Sequence, residues 1–113
     1  MNKLNGVMKI FFRKTYLADL YEGRKVNDKR LKSNPMLVKQ YIKTVAKLEA
    51  ASSLEQLYQI AALNFEALSG NYAGFYSVRI NQQYRLIFSA VFTDDDPPEV
   101  SVLELEDISN HYQ

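Results

Sequence analysis

The chain has no cysteine and a single histidine, His111. Without cysteine there is no disulfide, no thiolate nucleophile and no thiolate metal site, and one histidine cannot build a His-rich centre, so metal catalysis is not expected. Glycine and proline are scarce too, at four and three in 113 residues, which sets aside fibrous repeats and low-complexity linkers. No stretch reaches the roughly 18 uncharged apolar residues of a membrane span. Lys3, Lys9, Arg13 and Lys14 interrupt the N-terminal segment where a signal-peptide core would lie. The expectation is a soluble, cytoplasmic chain with no cofactor and no membrane partner. What is present is an ordinary globular composition, 47% hydrophobic and 24% charged, in a length that forms one domain over residues 1–113.

The net charge of +1 conceals a strong asymmetry. Residues 1–47 hold twelve Lys and Arg against three Asp and Glu, a balance of +9, whereas residues 48–113 hold two against ten, a balance of −8. Segregation of this kind points to a polyanion at the basic part or a basic partner at the acidic part, unless folding mixes the two into a neutral surface.

Val7 to Arg13 is apolar and β-rich and reads as a strand. Thr15 is placed to cap a short helix carrying Leu17, Leu20 and Tyr21, which Gly23 stops before a basic connector from Arg24 to Lys32. Asn34-Pro35 is a helix entrance, and Val38, Tyr41, Ile42, Val45 and Leu48 form one apolar stripe behind it. Lys39, Lys43 and Lys47 recur at i, i+4, i+8 as a solvent-facing row. Ser52-Ser53-Leu54-Glu55 has capping-box spacing and predicts a second long helix bearing Leu57 and Tyr58 on its apolar face, paired with the first in a hairpin. After Gly70 the period becomes two: Tyr76 to Ile80 and Arg85 to Phe92 are strands around a turn at Asn81-Gln82-Gln83, and an acidic turn at Asp94 to Pro98 leads to a third strand, Val100 to Leu105. Segregated helices and strands predict an α+β fold, a small antiparallel sheet with an N-terminal helical hairpin packed against it, joined by the first strand.

The segment Gly74-Phe75-Tyr76-Ser77-Val78-Arg79-Ile80-Asn81-Gln82-Gln83-Tyr84-Arg85-Leu86-Ile87-Phe88 resembles the core signature of HigB-type killer toxins, of the RelE/ParE toxin superfamily. Its neighbours agree in order: Leu48-Glu49-Ala50-Ala51, then Ser53-Leu54-Glu55-Gln56-Leu57, then Leu68-Ser69-Gly70. The resemblance covers roughly residues 7–112 and implies the same fold that periodicity gives. It also implies a type II toxin, neutralised by a cognate antitoxin and cleaving mRNA on the ribosome. Such toxins are commonly encoded beside a HigA-like antitoxin with a helix-turn-helix domain, to which DNA contact mainly belongs. Two other outcomes stay open within this resemblance: a toxin that poisons a protein such as DNA gyrase, and a catalytically silent partner of an antitoxin.

Metal-independent RNA cleavage needs a base for the ribose 2′-hydroxyl, cations for the pentacoordinate phosphate and an acid for the leaving oxygen. Arg79 and Arg85 are the only Arg or Lys after position 47. The resemblance gives them phosphate contact, Arg85 foremost; the plainer reading pairs them with Glu104, Glu106 or Asp107. At the C-terminus Asp107 matches the Asp-Tyr-His ending of many HigB toxins, while Ile108 and Ser109 replace its Tyr and His. The RelE-like ending Ser-x-x-Tyr fits Ser109 and Tyr112, with His111 beside that tyrosine as a second proton carrier, and Asp107 or Glu66 orienting them. Glu66 and Ala67 stand where many HigB toxins carry His and Lys. Lys39, Lys43 and Lys47, with the basic connector before them, suit ribosomal RNA, an acidic antitoxin segment or solubility alone. Tyr72, Tyr76 and Tyr84 are candidates for stacking on bases.

Overall fold

Asn34 and Pro35 open the longest helix as their spacing predicts: the Asn34 side chain accepts from the Leu37 N–H at 3.1 Å, and Pro35 takes the first helical position, where no N–H is needed. Removing this cap by Asn34→Ala is expected to cost about 1 kcal/mol in urea unfolding, with an unchanged denaturant slope. The computed structural model describes residues 8–110. They run β1 (Lys9–Phe12), α1 (Thr15–Tyr21), α2 (Lys29–Lys32), α3 (Pro35–Ala50), α4 (Leu54–Gln59), β2 (Glu66–Ala67), β3 (Tyr76–Arg79), β4 (Arg85–Phe92) and β5 (Val100–Ser109).

The five strands form one sheet in the order β1-β5-β4-β3-β2. The fold is α+β, but the sheet is mixed: β1 lies parallel to β5, with Lys9 opposite Val102 and Phe12 opposite Leu105, while the other pairs are antiparallel. Alternation along a strand says which face a side chain takes, not which way a neighbour runs, so this direction was not readable from periodicity. One face of the sheet, with Val78, Leu86, Phe88, Leu105 and Ile108, packs against Leu17, Leu37, Tyr41, Val45 and Leu48 of α1 and α3 in a single core. β4 is central, which explains why Arg85, Leu86, Ile87 and Phe88 are all buried although they alternate in direction.

The helical layer differs from the expected hairpin. α4 has six residues, and Ile60 turns to an extended conformation that ends it. Only Leu57 of α4 is buried, and Tyr58, expected in the core, is 72% exposed. The capping box is set one residue later than its sequence spacing suggests: Ser53 accepts from the Gln56 N–H, and Gln56 reaches back to the Ser52 N–H. The helix that packs on α3 is α1, joined to it by the Tyr41 hydroxyl donating to the Leu17 carbonyl at 2.7 Å. Thr15 does not cap α1; Lys14 occupies that position without a side-chain bond. Gly23, at φ +80°, turns the chain after α1 in a conformation that favours glycine.

Candidate active site

Strand register collects the charged residues of the signature. Glu66 lies opposite Ser77, Arg79 opposite Arg85, and Arg85 opposite Ser109, so all five project from the face of the sheet away from the helices. Two arginines directly opposite each other repel, and the structure relieves this by sending them to different surroundings. Arg79 is exposed. Arg85 is 4% exposed and turns inward: its Nε donates to Ser77 Oγ at 2.9 Å, and its Nη2 donates to the carbonyls of Ser77, at 3.3 Å, and of Asn64.

The expectation made Arg85 the foremost phosphate contact; in the structure its guanidinium is engaged with oxygens of the fold itself. Buried backbone carbonyls need donors, and a planar guanidinium supplies several in fixed directions. Asn64 is the left-handed residue, φ +44°, that closes the turn before Phe65 and β2. By gripping its carbonyl, Arg85 ties the start of β2, and with it the half-buried Glu66, to β3 and β4. The carboxylates proposed as its partners are engaged by other cations: Arg13 meets Glu104 at 3.3 Å and Glu106 at 3.0 Å, and Lys14 meets Asp107 at 3.4 Å.

Asp107 is not in the tail but inside β5, beside an irregularity that places Glu106 and Asp107 against Ile87. Its carboxylate faces α1, accepting from the Tyr16 hydroxyl at 2.5 Å and from the Ile108 N–H at 3.1 Å. Hence Asp107 orients Tyr16 and the β5 backbone; the expectation that it orients His111 or Tyr112 falls on residues outside those described. His111 and Tyr112 themselves lie outside the described residues.

Sequence reasoning missed a brace built from Tyr16 and Arg30. β1 stops pairing at Leu105, so the outer edge of β5 loses its neighbour there. Side chains from the helical layer take over: the Ile108 N–H donates to the Tyr16 hydroxyl at 3.0 Å, and Arg30 Nη1 donates to the Ile108 carbonyl at 2.6 Å. Arg30 is held in turn by a two-pronged pairing with Asp28, at 3.2 and 2.9 Å. Those bonds keep the Asp28 carboxyl below the usual carboxylate range and the Arg30 guanidinium firmly charged. Burial first, and then the bond to Asp107, pushes the Tyr16 phenol well above its ordinary value. Tyr16 is thus held as the neutral phenol that donates to Asp107. Burial raises the Tyr41 phenol as well.

A phenol whose pKa is higher folded than unfolded stabilises fully below the unfolded value, about 10, and loses that contribution as pH rises towards the folded one. Melting temperature is thus expected to fall as pH is raised above about 10, and the Tyr16→Phe, Tyr41→Phe double variant is expected to fall less steeply.

Lys39, Lys43 and Lys47 are exposed as expected, but on the helical layer, with the sheet between them and the face that carries Arg79. A bond from Asn81 Nδ2 to Gln40 Oε1, 2.9 Å, joins the two layers at the β3–β4 turn. Tyr84 is buried in the core, and Tyr76 stacks on Phe65 with ring centres 5.3 Å apart, so packing accounts for both.

Residues 10–97 match the HigB-like toxins, described as the RelE-like toxin of the type II toxin-antitoxin system HigB. The chain is similar to Toxin HigB-1 of Vibrio cholerae, 34% identical over 85 residues, which covers 74% of this chain and 85% of that protein. Among solved structures it resembles a YoeB/ParE toxin from Agrobacterium tumefaciens, with a TM-score of 0.56 at 18% identity over 93% of this chain and all of the other. It also resembles a chain of the heterotetrameric YoeB-YefM toxin-antitoxin complex from Staphylococcus aureus, with a TM-score of 0.54 at 21% identity over 93% and 98% of the two chains. At these identities the structural likenesses show a shared fold.

Proposed function

Because this chain belongs to the HigB-like family of RelE-like toxins and is the toxin of a type II toxin-antitoxin system, we propose that it arrests translation as a metal-independent, ribosome-dependent mRNA endonuclease. The observation that carries this reading is the sheet face on which Arg79 stands exposed above a locked Arg85, with Glu66 on the adjoining strand. An exposed guanidinium on a rigid strand is suited to the charge that builds on a phosphate under attack, because its position is fixed before the reaction.

In the proposed reaction the ribose 2′-hydroxyl attacks the neighbouring phosphorus and the 5′-oxygen of the next nucleotide leaves, giving a 2′,3′-cyclic phosphate and a 5′-hydroxyl. Arg79 holds the phosphate oxygens. Glu66 accepts the 2′ proton or orients the residue that does, and Tyr112 or His111 completes the proton exchange. Arg85 acts one step back, keeping β2 and Glu66 in register. Lys39, Lys43 and Lys47 supply sequence-independent contacts to ribosomal RNA, which would weaken as salt rises. The partners are then mRNA, the ribosome and a HigA-like antitoxin that carries the operon's DNA contact, and the site of action is the cytoplasm. No helix among the described residues is long and apolar enough to cross a membrane.

The test uses purified toxin and ribosomes programmed with an mRNA carrying one 2′-deoxynucleotide at the mapped cleavage position. Cleavage of the all-ribose message to a cyclic phosphate, with the deoxy message left whole, is the expected result. Equal cutting of both messages is incompatible with 2′-hydroxyl attack.

A further inference from the structure

Of the three tyrosines that are candidates for stacking on bases, packing accounts for Tyr76 and Tyr84, and Tyr72 remains. Its ring meets Phe75 edge to face, with centres 6.2 Å apart and planes at 88°. Every other ring pair among the described residues includes a ring in the core or packed against it; neither Tyr72 nor Phe75 is. Both are half-buried, and an edge-to-face contact occupies one face of one ring only. Aromatic surface is thus held outside the core, where packing of the fold does not call for it.

The backbone fixes the pair in place. Tyr72 ends a short turn, Gly70–Tyr72, set between Gly70 at φ +62° and Gly74 at φ +93°. The Tyr72 N–H donates to the Ser69 carbonyl at 3.1 Å and the Phe75 N–H to the Tyr72 carbonyl at 3.0 Å. The Leu68 N–H donates to the Phe75 carbonyl at 2.9 Å, which carries the β2–β3 pairing one residue further. Tyr76 and Val78 pack into the core, so alternation puts Phe75 on the other face of the sheet, with Ser77 and Arg79. Glu66 lies opposite Ser77, and its diagonal neighbours on β3 and just before it are Arg79 and Phe75, each about 7–8 Å away. Along this margin the order is an exposed cation, a carboxylate and an aromatic pair.

That order matches one nucleotide: phosphate, ribose and base. We propose that Tyr72 and Phe75 form the stacking platform for the base of the nucleotide whose 2′-hydroxyl attacks. The inference rests on the nuclease reading above and names the subsite that seats its substrate. Every base has a π-face, so the pair accepts any of the four and holds a purine, with its larger face, best.

Two measurements test it. The chain has no tryptophan, so Tyr72→Trp puts a single stacking-sensitive fluorophore at the platform. This variant is titrated with a hexaribonucleotide made uncleavable by 2′-O-methylation and with an abasic sugar-phosphate strand of the same length. Quenching by the first, and at least tenfold weaker quenching by the second, is expected. On programmed ribosomes, single-turnover cleavage by wild type is expected to slow about tenfold or more when the nucleotide 5′ to the cut is abasic, since it keeps its 2′-hydroxyl and loses only its base. A Tyr72→Leu, Phe75→Leu double variant keeps apolar bulk at both positions and is expected to cut the two messages at the same reduced rate.

Equal quenching by the two strands, or none by either, overturns the proposal. So does a wild type indifferent to the missing base, or a double variant that keeps the full dependence on it, because the rings then only shape the turn. If wild type cuts no message at all, the nuclease reading fails, while the quenching measurement still decides the platform.

Discussion

Arg85→Ala is expected to lower stability by roughly 2–4 kcal/mol and to abolish toxicity through loss of the fold, because two or more buried oxygens lose their donors at once. The side chain is 4% exposed and bonds to Ser77 Oγ and to the Ser77 and Asn64 carbonyls. Alanine leaves these acceptors facing a gap in the sheet, and the left-handed turn at Asn64 loses the contact that holds it. Arg85→Lys keeps the charge, but a single ammonium cannot reproduce a fork that reaches two segments, so an intermediate loss is expected. Urea unfolding followed by circular dichroism measures both. A stable, well-folded Arg85→Ala protein that has lost cleavage alone would return Arg85 to direct RNA contact.

The opposite result is expected at the facing position. Arg79 is exposed, and Arg79→Ala should leave stability within about 0.5 kcal/mol of wild type, as surface substitutions usually do. If Arg79 meets the phosphate in the transition state, its loss should lower the cleavage rate by about 10²–10³-fold, the usual cost of removing one preorganised charge donor. Arg79→Lys should recover part of that loss. Single-turnover cleavage on programmed ribosomes gives the rate, and thermal melting of the same preparations gives the control. An Arg79→Ala protein that cuts as fast as wild type excludes Arg79 from the reaction.

These two arginines also mark where the sequence stops being informative. Both stand in the same signature, six positions apart, and alternation places both on the same face. The sequence has no term for the neighbour that covers one and not the other: the turn at Asn64 folds over Arg85, and contact between residues 21 positions apart leaves no local trace. The brace is a stronger case. Tyr16 meets Asp107 across 91 positions, and Arg30 meets Ile108 across 78. Nothing in the sequence singled out Tyr16, and Arg30 was one of a run of cations suited to RNA, an acidic antitoxin segment or solubility alone.

Local rules fared better where the chemistry is local. The Asn34-Pro35 entrance, the α3 stripe and the Asn81 turn, whose side chain accepts from the Gln83 and Tyr84 N–H groups at 2.8 Å, each depend on residues within a few positions. The length of α4 failed because a capping box starts a helix without setting its end. A strand-like residue, Ile60, ended it after six residues.

The central claim is that the toxin cuts messages only as they are translated. It is tested by inducing the chain in a bacterial host without its antitoxin and mapping new 5′ ends on translated and untranslated copies of one mRNA. New ends confined to the translated copy, and lost in Arg79→Ala and Tyr112→Phe, are the result predicted here. Growth arrest without new ends would contradict it and point to a protein target.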